Sequence, residues 1–133
     1  CREVLRTMVP AGRGSIINIS GTTGITGLAK VSAHSVVQAG LLALTQSLSR
    51  EVGVHGIRVN AIAPSAIEGE HLLRIAATHD GQSASPEGAL LRRLLEESPL
   101  GRFVRPAEVA DTVVFLASDA SSGMTGRTLE LLL

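Results

Sequence analysis

Residues 14–69, GSIINISGTTGITGLAKVSAHSVVQAGLLALTQSLSREVGVHGIRVNAIAPSAIEG, decide the fold. Ser15-Ile16-Ile17-Asn18-Ile19-Ser20 is a β-branched run of strand length between Gly14 and Gly21. Its near-continuous apolarity predicts a strand covered on both faces, as in a parallel sheet. Residues 21–32 are rich in Gly and Thr and read as a loop. From Ala33 to Val52 the period becomes helical, with Val37, Leu41, Leu44 and Leu48 on one stripe. Beside it, Val36, Gly40, Ala43 and Ser47 form a row of mostly small residues, which permits close approach of another helix. Gly53 and Gly56 end the segment, and Ile57–Ala63 reads as a second strand closed by Pro64.

Outward from this unit the signals are shorter. Residues 2–9 predict a helix stopped by Pro10 and Gly12. Residues 65–86 carry Gly, His, Ser, Asp and Pro with little period, and read as a long loop of the lid or binding type. Residues 87–97 (EGALLRRLLEE) are an amphipathic helix. Pro106 opens another helix, with Glu108 near its positive end and an apolar stripe of Val109, Val113 and Leu116. Thr128–Leu133 is a final strand. Strand, helix, strand, helix, helix, strand is the order of an α/β parallel sheet with crossover helices.

Composition narrows the function classes. The chain has 133 residues, the size of one domain. Its 12 basic and 12 acidic residues leave no excess charge to neutralise phosphates, so no nucleic-acid partner is expected. No apolar run approaches the roughly 20 residues that span a bilayer, and no membrane partner is expected. Cys1 is the single cysteine, which excludes an intrachain disulfide and suits a reducing, cytoplasmic setting. The opening CREVLRTMV reads as a helix already under way, so the chain is expected to be a fragment of a longer parent.

GSIINIS, HGIRVNAIAP, PLGRFVRPAEVADTVVFLASDAS and TGRTL occur in an order and spacing that resemble the short-chain dehydrogenase/reductase family. The likeness covers nearly the whole chain. It implies a Rossmann-type doubly wound parallel sheet, of which residues 1–133 would be a partial domain, the C-terminal half only. The family's nucleotide-binding glycine loop and Asn-Asn-Ala-Gly segment would lie upstream. The family works with a Tyr-x-x-x-Lys pair on a helix and a Ser at the end of the preceding strand. In this register the Tyr position is His34, the Lys position Gln38 and the Ser position Gly21. The chain contains no Tyr. Pro64-Ser65 stands where Pro-Gly is usual, Gly69 where a Thr contacts the nicotinamide amide, and Leu132-Leu133 where Asp-Gly is common.

The resemblance therefore implies a scaffold without its proton-transfer groups. Gln38 is neutral and cannot stabilise a phenolate; Gly21 has no side chain to hold an oxygen. His34 could still move a proton, since imidazole titrates near neutrality. The expected function is a catalytically degenerate relative, a pseudoenzyme acting as a binding or assembly subunit and forming a homo-oligomer through the 33–52 helix. The alternatives are an active NAD(P)-dependent oxidoreductase with His34 as proton donor and acceptor, and a truncated fragment without function. Pro64, Ser65 and Ile67 are the cofactor-binding candidates. NAD or NADP is expected only in the full-length parent, not in the fragment alone. Thr22, just past the first strand, is a candidate to replace the lost hydroxyl, whereas Ser20 should point to the opposite face. Gly21–Gly27 lacks Gly-x-Gly and reads as a flexible connector rather than a phosphate loop. His71 and His79 lack ligand-spaced partners, so no metal site is expected. His55, Arg102 and Arg105 read as solvated.

Overall fold

The computed structural model describes residues 1–83, 86 and 88–131. A parallel three-stranded sheet, in the order β1-β2-β3, is built from β1 (Gly14–Ile19), β2 (Ile57–Pro64) and β3 (Thr128–Leu131). The helices are α1 (Arg2–Ala11), α2 (Thr23–Thr26), α3 (Ser32–Val52), α4 (Glu70–Ser83), α5 (Ala89–Glu97) and α6 (Pro106–Ala117).

Alternation along β1 assigns the two faces of the sheet. Ile16 packs with Leu48 and Val52 of α3 and with Val59, and Asn18 donates to Thr45 Oγ1 on the same helix at 2.9 Å. Ser15, one residue away, instead donates to the Leu116 carbonyl of α6 at 2.9 Å. The sheet is thus covered by α3 on one side and α6 on the other. Central β2 is sealed: Ile57, Val59, Asn60, Ala61, Ile62 and Ala63 are all buried. Buried Asn60 is satisfied by donating to Met124 O at 2.8 Å and accepting from Arg127 N at 3.0 Å. Strand β1 pairs only with β2, and Ile19 at its end stays 53% exposed.

Several expectations need correction. Residues 65–86 are not one long loop, because α4 occupies Glu70–Ser83. Its inward face is Leu72, Ala76 and Asp80, which are buried; a small and a charged residue hid the period. Pro10 does not stop α1, which runs on to Ala11 and ends at Gly12 in the left-handed conformation. A proline in the last turn removes a single intrahelical bond. The stripe expected on α3 is not its buried face. Thr45, Leu48, Ser49 and Val52 are buried, while Val37 and Leu44 face outward. The segment 21–32 contains the one-turn helix α2. It is not a free connector: a Cβ on Gly24 would stand 2.7 Å from both Ala39 N and the Gln38 carbonyl carbon, so α2 is seated on α3. Leu132-Leu133 lie outside the described residues.

Candidate functional site

The C-terminal ends of β1 and β2 form the floor of the site. Ser20 N donates to Ile62 O at 2.8 Å and Thr22 N to Pro64 O at 3.2 Å, so the ladder holds the chain just past β1. Gly21 sits between these two bonds, against the second turn of α3. A Cβ there would meet only Pro64 O at 3.7 Å, Gln38 Cδ at 3.8 Å and Thr23 Oγ1 at 3.9 Å. These are ordinary contacts, so the site has room for the missing side chain.

Ser20 points to α3, as strand alternation requires, but it is not idle there. Its buried hydroxyl lies 3.0 Å from Gln38 O and 3.1 Å from Gln38 Oε1. Gln38 Nε2 in turn lies 3.3 Å from His34 Nε2, one helical turn away. Ser20, Gln38 and His34 therefore form a chain from the buried strand end to the exposed imidazole. The amide can give His34 only a hydrogen-bond donor or an acceptor; it supplies no net charge. Sequence reasoning missed Thr23 as well. Its hydroxyl is buried, has no partner among the described residues and faces the space beside Gly21. No sequence pattern marks it, because its placement depends on Gly24 seating α2 on α3. Thr22 caps α2 without a side-chain bond.

The three cofactor candidates differ in what they still offer. Pro64 O is taken by Thr22 N, and Ser65 N donates to Leu131 O at 3.0 Å. Ile67 forms a parallel bridge with Val104 in which the bonds are made by its neighbours: Val104 N to Ala66 O and Glu68 N to Val104 O, each 2.9 Å. The Ile67 amide and carbonyl have no main-chain partner among the described residues. Together they present a donor and an acceptor of the kind a primary carboxamide needs. Gly69 does not add to these, because at φ 143 with nothing near its Cβ position it brings no hydroxyl. The 133 residues contain no Gly-x-Gly-x-x-Gly to cradle a pyrophosphate.

Three of the remaining candidates, Arg102, Arg105 and His71, have internal partners. Arg102 grips Glu108 through both amino groups, at 2.8 and 3.1 Å, and Arg105 adds side-chain and main-chain bonds of 2.8 Å each. These bonds, those of Arg102 foremost, hold the Glu108 carboxyl well below the usual carboxylate range, and the same pair raises the Arg102 guanidinium. The two arginines therefore hold the start of α6 while their side chains stay 41% and 58% exposed. His71 Nδ1 lies 2.9 Å from Arg74 Nη2, and His55 is exposed at the end of a 3-10 turn. Among the described residues no three His, Cys, Asp or Glu side chains are grouped to hold a metal ion.

A site at the carboxyl ends of parallel strands, with α3 alongside, is the placement expected of an open α/β sheet. Residues 1–131 match the family model described as enoyl-(acyl carrier protein) reductase. The chain belongs to the short-chain dehydrogenase/reductase family. It is 37% identical over 131 residues to a 3-oxoacyl-(acyl-carrier-protein) reductase FabG of Chlamydia trachomatis serovar D, covering 98% of this chain and 48% of that protein. The crystal structure of an NAD+-bound xylitol dehydrogenase superposes with a TM-score of 0.92 at 26% identity, over 98% of this chain and 52% of that one. A gluconate 5-dehydrogenase from Burkholderia cenocepacia, in complex with NADP and tartrate, does so with a TM-score of 0.86 at 26% identity, over 98% and 48%. The chain thus spans about half the length of the curated relatives it matches.

Proposed function

We propose that the full-length protein is a catalytically degenerate member of this family that acts as a binding or assembly subunit. The observation that carries this reading is the contact of Gln38 with His34. An uncharged amide occupies the place from which the family's scheme needs a cation, one turn from an imidazole instead of a phenol. With no side chain at Gly21, the three groups of one proton-transfer event are all altered. Losing such help costs roughly 100- to 10,000-fold.

The outer face of α3 supports assembly. Val36 and Val37 are 71% and 68% exposed and Leu44 is 45% exposed, beside Gly40, whose Cβ position is open. This apolar surface suits a homo-oligomeric contact through residues 33–52. Residues 1–133 are on this reading the C-terminal part of a Rossmann-type domain whose nucleotide-binding half precedes them. NAD or NADP is then a ligand of the complete protein, with Ile67 meeting the carboxamide. No helix among the described residues is long and apolar enough to cross a membrane, and an exposed free Cys1 suits a reducing cytoplasm. The test is Gly40→Glu with Ala43→Glu in the full-length protein. Monomers on a sizing column are expected; an unchanged elution volume would sink the assembly role.

The Ser20–Gln38–His34 chain favours one second reading, in which the imidazole is a working proton donor and acceptor positioned by Gln38. Turnover followed by nicotinamide absorbance, abolished in His34→Ala, would establish it and overturn the first.

A further inference from the structure

A cleft of about 280 Å³ lies between the turn before α3 and the outer side of α4, lined by Lys30, Val31, Arg74, Ile75, Thr78 and His79 among others. From its residues we propose that it binds a small organic anion, a carboxylate or phosphate carried on a short apolar body. The proposal deepens the binding role above and rests on that reading only for the expectation that the ligand is held without being turned over.

The charges on the cleft are one-sided. Among the described residues, neither Lys30 nor Arg74 has a carboxylate within ion-pair distance. One amino group of Arg74 is tied to His71 Nδ1, which steadies the guanidinium and leaves its other donors for a ligand. A planar guanidinium takes an oxyanion through two parallel bonds, and an ammonium nearby adds a point charge. Asp80 is the nearby acid, 3.7 Å from His79 Nδ1, but it is buried and accepts the Leu90 amide at the start of α5 at 3.1 Å. Asp80 is not paired with Lys30 or Arg74 among the described residues.

The cleft wall is apolar. Val31 is half-buried, and Ile75 stands 43% exposed beside the guanidinium. Aliphatic side chains in the same cleft as two unpaired cations match a ligand with a hydrocarbon body and one charged end. Val31 is also the N-cap of α3, and His34 follows it by three positions, roughly 4.5 Å along the helix axis.

Lys30 supplies a clean variant. It is the one non-glycine residue with positive φ among the described residues, at 68°. Glycine adopts that conformation without the steric penalty, so Lys30→Gly removes the charge while relaxing the backbone. The experiment titrates the full-length protein with butyrate, butyl phosphate and butanol at constant ionic strength, reading amide signals of residues 30–35 and 74–79. Saturable shifts with the two anions and none with butanol are expected, and the ratio of the two affinities identifies the head group. Lys30→Gly and Arg74→Gln should each weaken binding about tenfold or more, the value of one charge-assisted bond. Lys30→Gly should do so with no loss of melting temperature. Shifts that do not saturate, that butanol reproduces, or that survive both variants would overturn the proposal, and so would a Lys30→Gly that loses stability and binding together. Nicotinamide turnover bears on the other reading alone. A protein that binds butyrate and also turns over keeps the cleft and loses the degenerate assignment.

Discussion

Gly24 makes the sharpest stability prediction, because the same substitution at Gly40 should have the opposite sign. Gly24 lies in α2, and a methyl group there would stand 2.7 Å from Ala39 N, 2.7 Å from the Gln38 carbonyl carbon and 2.8 Å from Gln38 Cβ. Two of those atoms are backbone of a 21-residue helix and cannot swing aside. Relief therefore requires α2 to back away by about 0.7 Å, from 2.7 Å out to the 3.4 Å at which ordinary contact begins. Overpacking of this kind costs about 1–3 kcal/mol. In a domain of this length each kcal/mol moves the melting temperature by roughly 4 °C. Gly24→Ala should thus melt some 4–12 °C lower by that scale. Gly40 is also helical, but nothing lies within 4 Å of its Cβ position. In the monomer, with no partner helix on α3, Gly40→Ala should gain about 1 kcal/mol from the better helix propensity of alanine. Thermal unfolding by circular dichroism at matched concentration compares the two with the parent protein. A Gly24→Ala protein that melts within a degree of the parent would refute the seating of α2 on α3, and with it the placement of Thr23 beside Gly21.

Three further outcomes are expected. Gly21→Ser meets no atom closer than 3.7 Å from its Cβ, so it should leave stability within about 0.5 kcal/mol of the parent by urea unfolding. Only together with His34→Tyr and Gln38→Lys should it give a trace of hydride transfer, because groups acting as a unit do not add. Glu108, whose pKa is lowered mainly by Arg102, stabilises the fold above its unfolded value near 4.3 and loses that contribution as pH falls through the depressed folded value. Below about pH 4 the parent should lose more stability per pH unit than Glu108→Gln, with equal slopes between pH 5 and 7; identical acid slopes would show that the bonds to Arg102 and Arg105 do not persist in solution. The isolated 133-residue chain presents β1 as an edge strand with Ile19 bare, which is an aggregation liability. Broad amide signals or an oligomer on a sizing column are expected; a sharp monomer spectrum would mean the edge is protected.

The fold was legible where burial is two-sided and uniform. In β2 the run Ile57 to Ala63 is apolar apart from Arg58 and Asn60, and the structure seals all of it except the partly buried Arg58. Both polar side chains are spent inside the protein: Arg58 on Ser118 and Ser121, Asn60 on Met124 and Arg127. The reading failed where the inward face is not apolar. Helix α4 turns Asp80 inward because a carboxylate there can hold the start of α5. That reason lies ten residues away and leaves no mark on the period. On α3 the error was inverted. Thr45 and Ser49 are buried polar residues, satisfied by Leu41 O and Gln46 O, while Val37 and Leu44 of the apolar stripe face out and only its Leu48 is buried.

The site was legible in its positions and not in its connections. Register alone brings Gly21, His34 and Gln38 together, and the structure places Gln38 beside both other positions. What register cannot supply is the use made of Gln38 by Ser20. Strand alternation predicts Ser20 on the face opposite to the site, yet its hydroxyl and the Cβ position of Gly21 both meet the Gln38 side chain. Alternation alone does not show that Ser20 reaches the Gln38 amide, at 3.1 Å. Lysine at 38 would set a charge against that hydroxyl, whereas glutamine answers it with an acceptor while its nitrogen reaches His34. Gln38 is thus satisfied at both ends as it stands. In Gln38→Lys the Ser20 hydroxyl would keep the main-chain carbonyl of position 38, 3.0 Å away, as its acceptor, but His34 would lose the amide nitrogen it now meets. The altered residues form a locally consistent set, which is why reverting one of them alone is expected to restore nothing.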